Sequence, residues 1–229
     1  MKAILTLEKY DQNFNLLEKR QMLSRSFTKG LIALLYVFHA QVPSGSPYAC
    51  NDEAGNSRNL MVSQWSDGRK ALGTFKANAG GGAVNELVWN MGSGGSSGSG
   101  FITSIAVPGE KLGVVIGTGL TAVTPTDTAL VTRITQGRGV GQMEYGGSEI
   151  VNLALSNPNG SFDLRRYFTN LSGNPITVNE CGIYAAGCYP SSTLGASSAF
   201  CIARDLVSPG VAVANTEILR VIYTLQITV

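Results

Sequence analysis

Apolar and polar residues alternate with a period of two along the C-terminal stretch. Leu219, Val221, Tyr223, Leu225, Ile227 and Val229 fall on one parity, and Arg220, Thr224, Gln226 and Thr228 on the other. That period is the mark of a strand with one buried face. It recurs over 162–171, where Phe162, Leu164 and Phe168 oppose Asp163, Arg165 and Thr169. Residues 148–155 and 176–184 are also strand-like, and the turn tetrads Asn157-Pro158-Asn159-Gly160 and Ser172-Gly173-Asn174-Pro175 separate these runs. Residues 101–107 and 111–116 read as two more strands, joined at Pro108-Gly109. Near the N-terminus, 2–9 and 14–23 flank the turn-rich Tyr10-Asp11-Gln12-Asn13.

The period changes once. Phe27, Leu31, Leu34, Leu35 and Phe38 recur at helical spacing, which predicts a helix over 25–40 with Ser24 or Ser26 as its N-terminal cap and His39 at its end. Pro43, Gly45, Pro47 and Gly55 then break regular structure. Gly80-Gly81-Gly82 and the tract GSGGSSGSG over 92–100 offer no side chains for a core. Only 60–65 and 87–89 read as short strands between them. Three parts of a single domain, 1–229, follow: two strands plus a helix over 1–40, an irregular Gly/Ser-rich insertion over 41–100, and an antiparallel β core over 101–229. The expected fold is all-β, an antiparallel sandwich or barrel with one N-terminal helix packed on it. Alternating strand–helix units are absent, which excludes a doubly wound sheet. Trp65, Trp89 and Tyr48 in the insertion are the candidate interface residues, since aromatic side chains anchor protein contacts.

Composition changes this picture in one respect. Of 229 residues, 44% are apolar but only 14% are charged, against the usual quarter. A surface so poor in charge and rich in Gly, Ser, Thr and Asn suits a subunit covered by neighbours. The net charge of +2 is spread along the chain, so no specific nucleic-acid partner is expected. No apolar run is long enough to span a bilayer as a helix, and MKAILTLEKYDQ lacks the apolar core of a signal peptide. Synthesis in the cytoplasm with no membrane partner is the expectation.

The search for chemistry is brief. The stretch IGTGLTAVTPTDTAL over 116–130 has paired glycines after a strand-like run, yet no lysine for a phosphate loop and no third glycine for a dinucleotide fingerprint. Pro125 also prevents the loop from opening directly into a helix. It reads instead as a corner: a turn at Gly117 to Gly119, Asp127 bonded to local backbone, and Leu130 returned to the core. His39 is the sole histidine and lies in an apolar run, a poor setting for a Ser-His-Asp or Cys-His arrangement. Asp127, Glu144 and Glu149 have no distinguishing local pattern. Asn51-Asp52-Glu53 is loosely calcium-like but lacks the EF-hand spacing. Cys50, Cys181, Cys188 and Cys201 form no CxxC, and small buried thiols suit their spacing better than a zinc site or a disulfide framework. No catalytic residue, cofactor or metal is expected.

Four landmarks occur in one order: Arg25-Ser26-Phe27 ahead of an apolar helix with Leu34-Leu35; Ile116-Gly117-Thr118-Gly119 followed by Pro125, Asp127 and Leu130; FDLRRYFTN over 162–170 with Ser172-Gly173 and ITVNECGIY over 176–184; and Ala203-Arg204-Asp205 ahead of the last strand. In this order the chain resembles small virion structural proteins of tailed bacteriophages, over most of its length outside 41–100. The resemblance implies a non-enzymatic component of the virion, a capsid decoration or cement protein or a neck or tail-associated one. Its partners would be major capsid or tail proteins and further copies of itself. A receptor- or carbohydrate-binding fibre or baseplate module is the alternative, with Trp65, Trp89 and Tyr48 as stacking faces.

Overall fold

A computed structural model describes residues 2–24, 26–40, 48–64, 70–78, 84–88, 112–156, 159–185, 187–188 and 199–228. Its elements in chain order are β1 (Lys2–Tyr10), β2 (Leu16–Ser24), α1 (Lys29–Ala40), β3 (Tyr48–Asn51), β4 (Ser57–Gln64), β5 (Lys70–Asn78), β6 (Val84–Val88), β7 (Gly113–Gly117), β8 (Glu144–Ser156), β9 (Asn159–Thr169), β10 (Ile176–Ala185), β11 (Gly187–Cys188), β12 (Phe200–Val213) and β13 (Ile218–Thr228). The fold is strand-rich, with one helix among the described residues and antiparallel pairing throughout the three sheets. Sheet A has the order β2-β1-β13-β9-β8, sheet B β12-β10-β7, and sheet C β11-β6-β5-β4-β3. Among the described residues each sheet ends in edge strands, so the architecture is sandwich-like.

Period-two patterning decides which faces meet. Leu5, Leu7, Leu164, Phe168, Leu219, Val221 and Tyr223 are all buried on the inward face of sheet A. The register aligns them in rows across the strands, Leu5 with Tyr223 and Leu164, then Leu7 with Val221 and Arg166. Sheet B answers with Cys181, Ile183, Val114 and Ile116, all fully buried. Two polar pins cross the interior. Asp205 on β12 accepts from Ser24 Oγ at 2.7 Å and Tyr223 Oη at 3.1 Å. Arg166 on β9 donates to the carbonyls of Gly146, Leu112 and Val114 at 2.7 to 3.1 Å, with its guanidinium 4.7 Å from the Tyr145 ring. Buried polar groups of this kind persist because each is hydrogen-bonded.

The helix begins at Lys29, four residues later than its apolar spacing predicts. Residues 26–28 are held extended by β12: Thr28 N–H donates to Ile202 O, Ser26 O accepts from Arg204 N–H, and Phe27 bridges to Ala203. Ser24 Oγ is spent on Asp205, and the hydroxyl of Thr28, the residue before α1, donates to Cys201 O. Leu31, Leu34 and Val37 form the buried stripe.

The insertion is not irregular throughout. Four strands, β3 to β6, run antiparallel within it, where the sequence pattern signals only two short ones. Gly55, with φ 78°, marks the described turn between β3 and β4, while the strand residues pair through backbone groups that composition does not reveal. The acidic cluster is a turn: Asp52 accepts from the N–H groups of Ala54 and Asn56 and from Arg58 Nε at 2.7 to 3.0 Å. The expected strand over 101–107 lies outside the described residues. β12 has no counterpart in the predicted strands, because Arg204-Asp205 and Pro209-Gly210 interrupt the apolar pattern. The pairing with β10 shifts register between Val178/Glu180, where residues 207–210 bulge out.

Candidate functional site

Three features lie at the margins of the sandwich. The first is the corner formed by residues 117–134. The far face of sheet B, away from sheet A, carries Glu180 of β10 and Arg204 of β12, both almost fully buried. Charges survive there because the corner folds over them and supplies partners. Glu180 accepts from the N–H groups of Gly119 at 3.1 Å, Val131 at 3.2 Å and Thr132 at 2.8 Å, and from Arg204 Nε at 2.8 Å. The other arms of the Arg204 fork donate to Asp127 Oδ2 at 2.7 Å and Thr121 O at 2.8 Å. Burial pushes the Asp127 carboxyl up, but bonds from Thr124 and Arg204 outweigh it and hold the group below its ordinary value.

The glycines of this corner are required by close approach and not by a left-handed backbone. A Cβ at Gly117 would sit 2.5 Å from Thr132 O and 2.6 Å from Glu180 Oε1, and one at Gly119 would collide with the same carboxylate. Leu130 is buried as expected, and its N–H donates to Tyr184 Oη at 2.6 Å. Asp127 does bond locally, but backward to Thr124. The buried Glu180–Arg204 pair is satisfied from within.

The second feature is a cleft of about 300 Å³ between α1, β3 and the corner, reached by Lys29, Tyr48, Cys50, Asp127 and Cys201. Tyr48, the one described member of the predicted interface trio, is 43% exposed and lies 5.5 Å from the ring of Tyr36. Trp65 and Trp89 fall outside the described residues. Burial raises the Cys201 thiol to about 12 and lifts Cys181 further above its ordinary value. Both therefore stay protonated and non-nucleophilic at neutral pH. No group of three or more His, Cys, Asp or Glu side chains among the described residues is placed to hold a metal ion.

The third feature is apolar. Past the end of sheet B, the inward face of sheet A continues as a groove of about 310 Å³ beside Leu31 and Leu35 of α1, lined by Leu153, Leu155, Phe162 and Ile227. Leu153, Leu155 and Ile227 are 71%, 78% and 54% exposed. A bulge aims them there. The β8–β9 register places Ile150 opposite Leu164 and Leu155 opposite Gly160, so Asn152 and Leu153 together face the single residue Phe162. Asn152 is left-handed with φ 57° and its amide donates to Asp163 at 2.7 Å on the other face. The extra residue switches parity, so Leu153 and Leu155 join Leu225 and Ile227 on one face. Sequence alternation places 148–155 in a strand but cannot reveal the bulge, since Asn is its only local signal.

Comparison with protein-family models, curated proteins and solved structures found no match. No helix among the described residues is long and apolar enough to cross a membrane.

Proposed function

We propose that this chain is a non-enzymatic structural subunit of a tailed-bacteriophage virion, a capsid decoration or neck/tail-associated protein that stabilises the particle through subunit contacts. The observation that carries the reading is the exposed apolar face at Leu153, Leu155 and Ile227, on a sandwich whose buried charges are compensated internally. Contiguous apolar surface of this kind marks a protein contact. The low charge content and the resemblance of the ordered landmarks to those of phage virion proteins support it. Binding of many copies would stabilise a shell or tail by mass action. Mass spectrometry of purified particles of the phage that encodes the chain is the test. Many copies per particle are expected, and absence from the particles overturns the reading.

The Tyr36–Tyr48 pair beside the polar cleft favours a second reading, a carbohydrate- or receptor-binding module in which exposed rings stack on sugars. Glycan-array binding by the intact protein that disappears with Tyr48→Ala supports it. No binding, or binding unchanged by the substitution, counts against it.

A further inference from the structure

A second exposed apolar cluster stands at the opposite end of sheet A. The β1–β2 turn carries Phe14, and β2 begins with Leu16 and Leu17; these three are 62%, 53% and 51% exposed. Phe14 adopts φ 61°, a left-handed conformation that a bulky residue rarely holds without support. Support is present. Asp11 Oδ1 accepts from the N–H groups of Asn13 and Asn15, its Oδ2 accepts from the Asn15 amide, and the backbone closes between Phe14 N–H and Asp11 O. Beneath it, Arg220 lies 5.3 and 5.6 Å from the rings of Tyr10 and Tyr167, and Phe14 touches both tyrosines edgewise or tilted. The turn is a rigid mount that holds one aromatic ring outward.

Register fixes where this knob lies relative to the groove. β1 pairs β13 from Lys2↔Gln226 to Tyr10↔Ile218, and β9 pairs β13 from Thr228↔Asn159 to Ile218↔Thr169. The knob therefore projects beyond the Tyr10, Ile218 and Thr169 end, and the groove opens at the Gln226, Asn159 and Ser156 end. Nine residues of strand separate them, about 30 Å. They also differ in face: the knob sits over Tyr167 on the outer face and the groove lies on the inner one.

We propose that the Phe14 knob of one copy seats in the apolar groove of the next, joining subunits head to tail. The proposal rests on the reading of the chain as a repeated particle subunit and names the surfaces that repeat. Size fits: an apolar cavity of about 150 Å³ accepts a benzene ring, so a groove of about 310 Å³ accepts a phenyl ring with a leucine beside it. Chemistry fits too, since the groove lining is mainly apolar, with Phe27 and Phe162 beside the leucines and isoleucines and Ser161 and Gln226 as its polar members among the described residues. The area points the same way. With about 200 Å² for a fully exposed side chain of this size, Phe14, Leu16, Leu17, Leu153, Leu155 and Ile227 together offer roughly 700 Å², more than half of the ~1,200 Å² at which specific interfaces begin. The joined patches lie on different parts of the molecule, so the contact is heterologous and propagates into a ring or a filament.

Sedimentation velocity on the intact protein tests this, at about 50 µM so that micromolar contacts are occupied. The wild type is expected to form oligomers larger than dimers. Phe14→Asp and Leu155→Asp are each expected to weaken association about 30- to 100-fold and run as monomers. Mixed one to one, the two variants are expected to form a dimer and nothing larger, because each retains the half that the other lacks. A monomeric wild type overturns the proposal, as does oligomerisation of Phe14→Asp alone or a mixture that stays monomeric. Circular dichroism of both variants must match the wild type, and a fold lost in either is replaced by the milder Phe14→Ser and Leu155→Ser. Abundance in particles together with a monomeric wild type sinks this contact while leaving the particle reading intact. Knob-dependent oligomers of a chain absent from particles do the reverse.

Discussion

The corner over sheet B and the groove end of sheet A are both margins of one sandwich, yet they treat side chains in opposite ways. At the corner, Glu180 and Arg204 are charged and wholly covered, with both carboxylate oxygens and all three guanidinium nitrogens bonded. At the groove, Leu153 and Leu155 are apolar and mostly uncovered. Folding alone accounts for the first arrangement: a charge taken from water must find its partners inside the same chain. Nothing among the described residues accounts for the second, because a bulge spends a left-handed Asn152 to aim leucines into solvent. The contrast separates charges that the fold covers from apolar side chains that it leaves open.

The largest effect that tests this contrast is at Glu180. Glu180→Ala leaves the buried Arg204 without its central partner and orphans three backbone N–H groups. A loss of about 3–5 kcal/mol is expected, a fall of roughly 10 °C in the thermal midpoint for a chain of this size. Leu155→Ala, at an exposed site, is expected to change stability by less than about 0.5 kcal/mol. Thermal denaturation of the two variants side by side decides the matter. Equal losses erase the distinction between the two margins.

Much of the covered part was legible in the sequence. Strand-like runs between turn signals located β1, β2, β7, β8 and β10, period two located β9 and β13, and Leu130 was placed inside correctly. Legibility stopped wherever a charge sat at a core parity. Arg166 lies between Leu164 and Phe168 on the buried side of β9, and Arg204 interrupts β12. A pattern that sorts residues into apolar and polar reads both as solvent-facing, since the partners that neutralise them come from far along the chain. Glu180 meets Gly119 across 61 residues. The groove was hidden for a different reason: a bulge inverts the very alternation used to find the strand. Of the three aromatic residues singled out for an interface, Tyr48 is exposed but lies away from both the groove and the knob, against Tyr36 of the helix.

A smaller effect comes from the outer face of sheet A, where Glu8 is buried among its partners but Lys19 beside it is exposed. Burial pushes the Glu8 carboxyl up, yet bonds from Lys19, Tyr10 and Arg220 outweigh it and hold the group at about 2 against an ordinary 4.5. A carboxyl depressed in the folded state contributes its stability fully above about 4.5 and loses it as the pH falls toward 2. At 1.36 kcal/mol per pKa unit the contribution is at most about 3 kcal/mol. Glu8→Gln is therefore expected to be less stable than the wild type at pH 6 and to converge on it near pH 2. Thermal midpoints measured for both proteins across that window show the convergence. Parallel curves mean that Glu8 is not the group that titrates.

The smallest effect is the most telling, because its sign carries the information. Phe14 holds φ 61° at an exposed turn, and a left-handed bulky residue costs about 1–2 kcal/mol relative to one that tolerates the region. Asparagine tolerates it. Phe14→Asn sheds that strain and loses only the tilted and edge contacts with Tyr10 and Tyr167, so stability is expected to stay level or rise by up to about 1 kcal/mol. A side chain whose removal leaves the fold no worse is not there for the fold. If Phe14→Asn instead lowers stability by more than about 1 kcal/mol, the ring belongs with Glu180 and Arg204 among the parts that serve the fold, and the knob loses its claim. If stability holds while association collapses, the strain at Phe14 is kept for the neighbouring subunit that receives the ring.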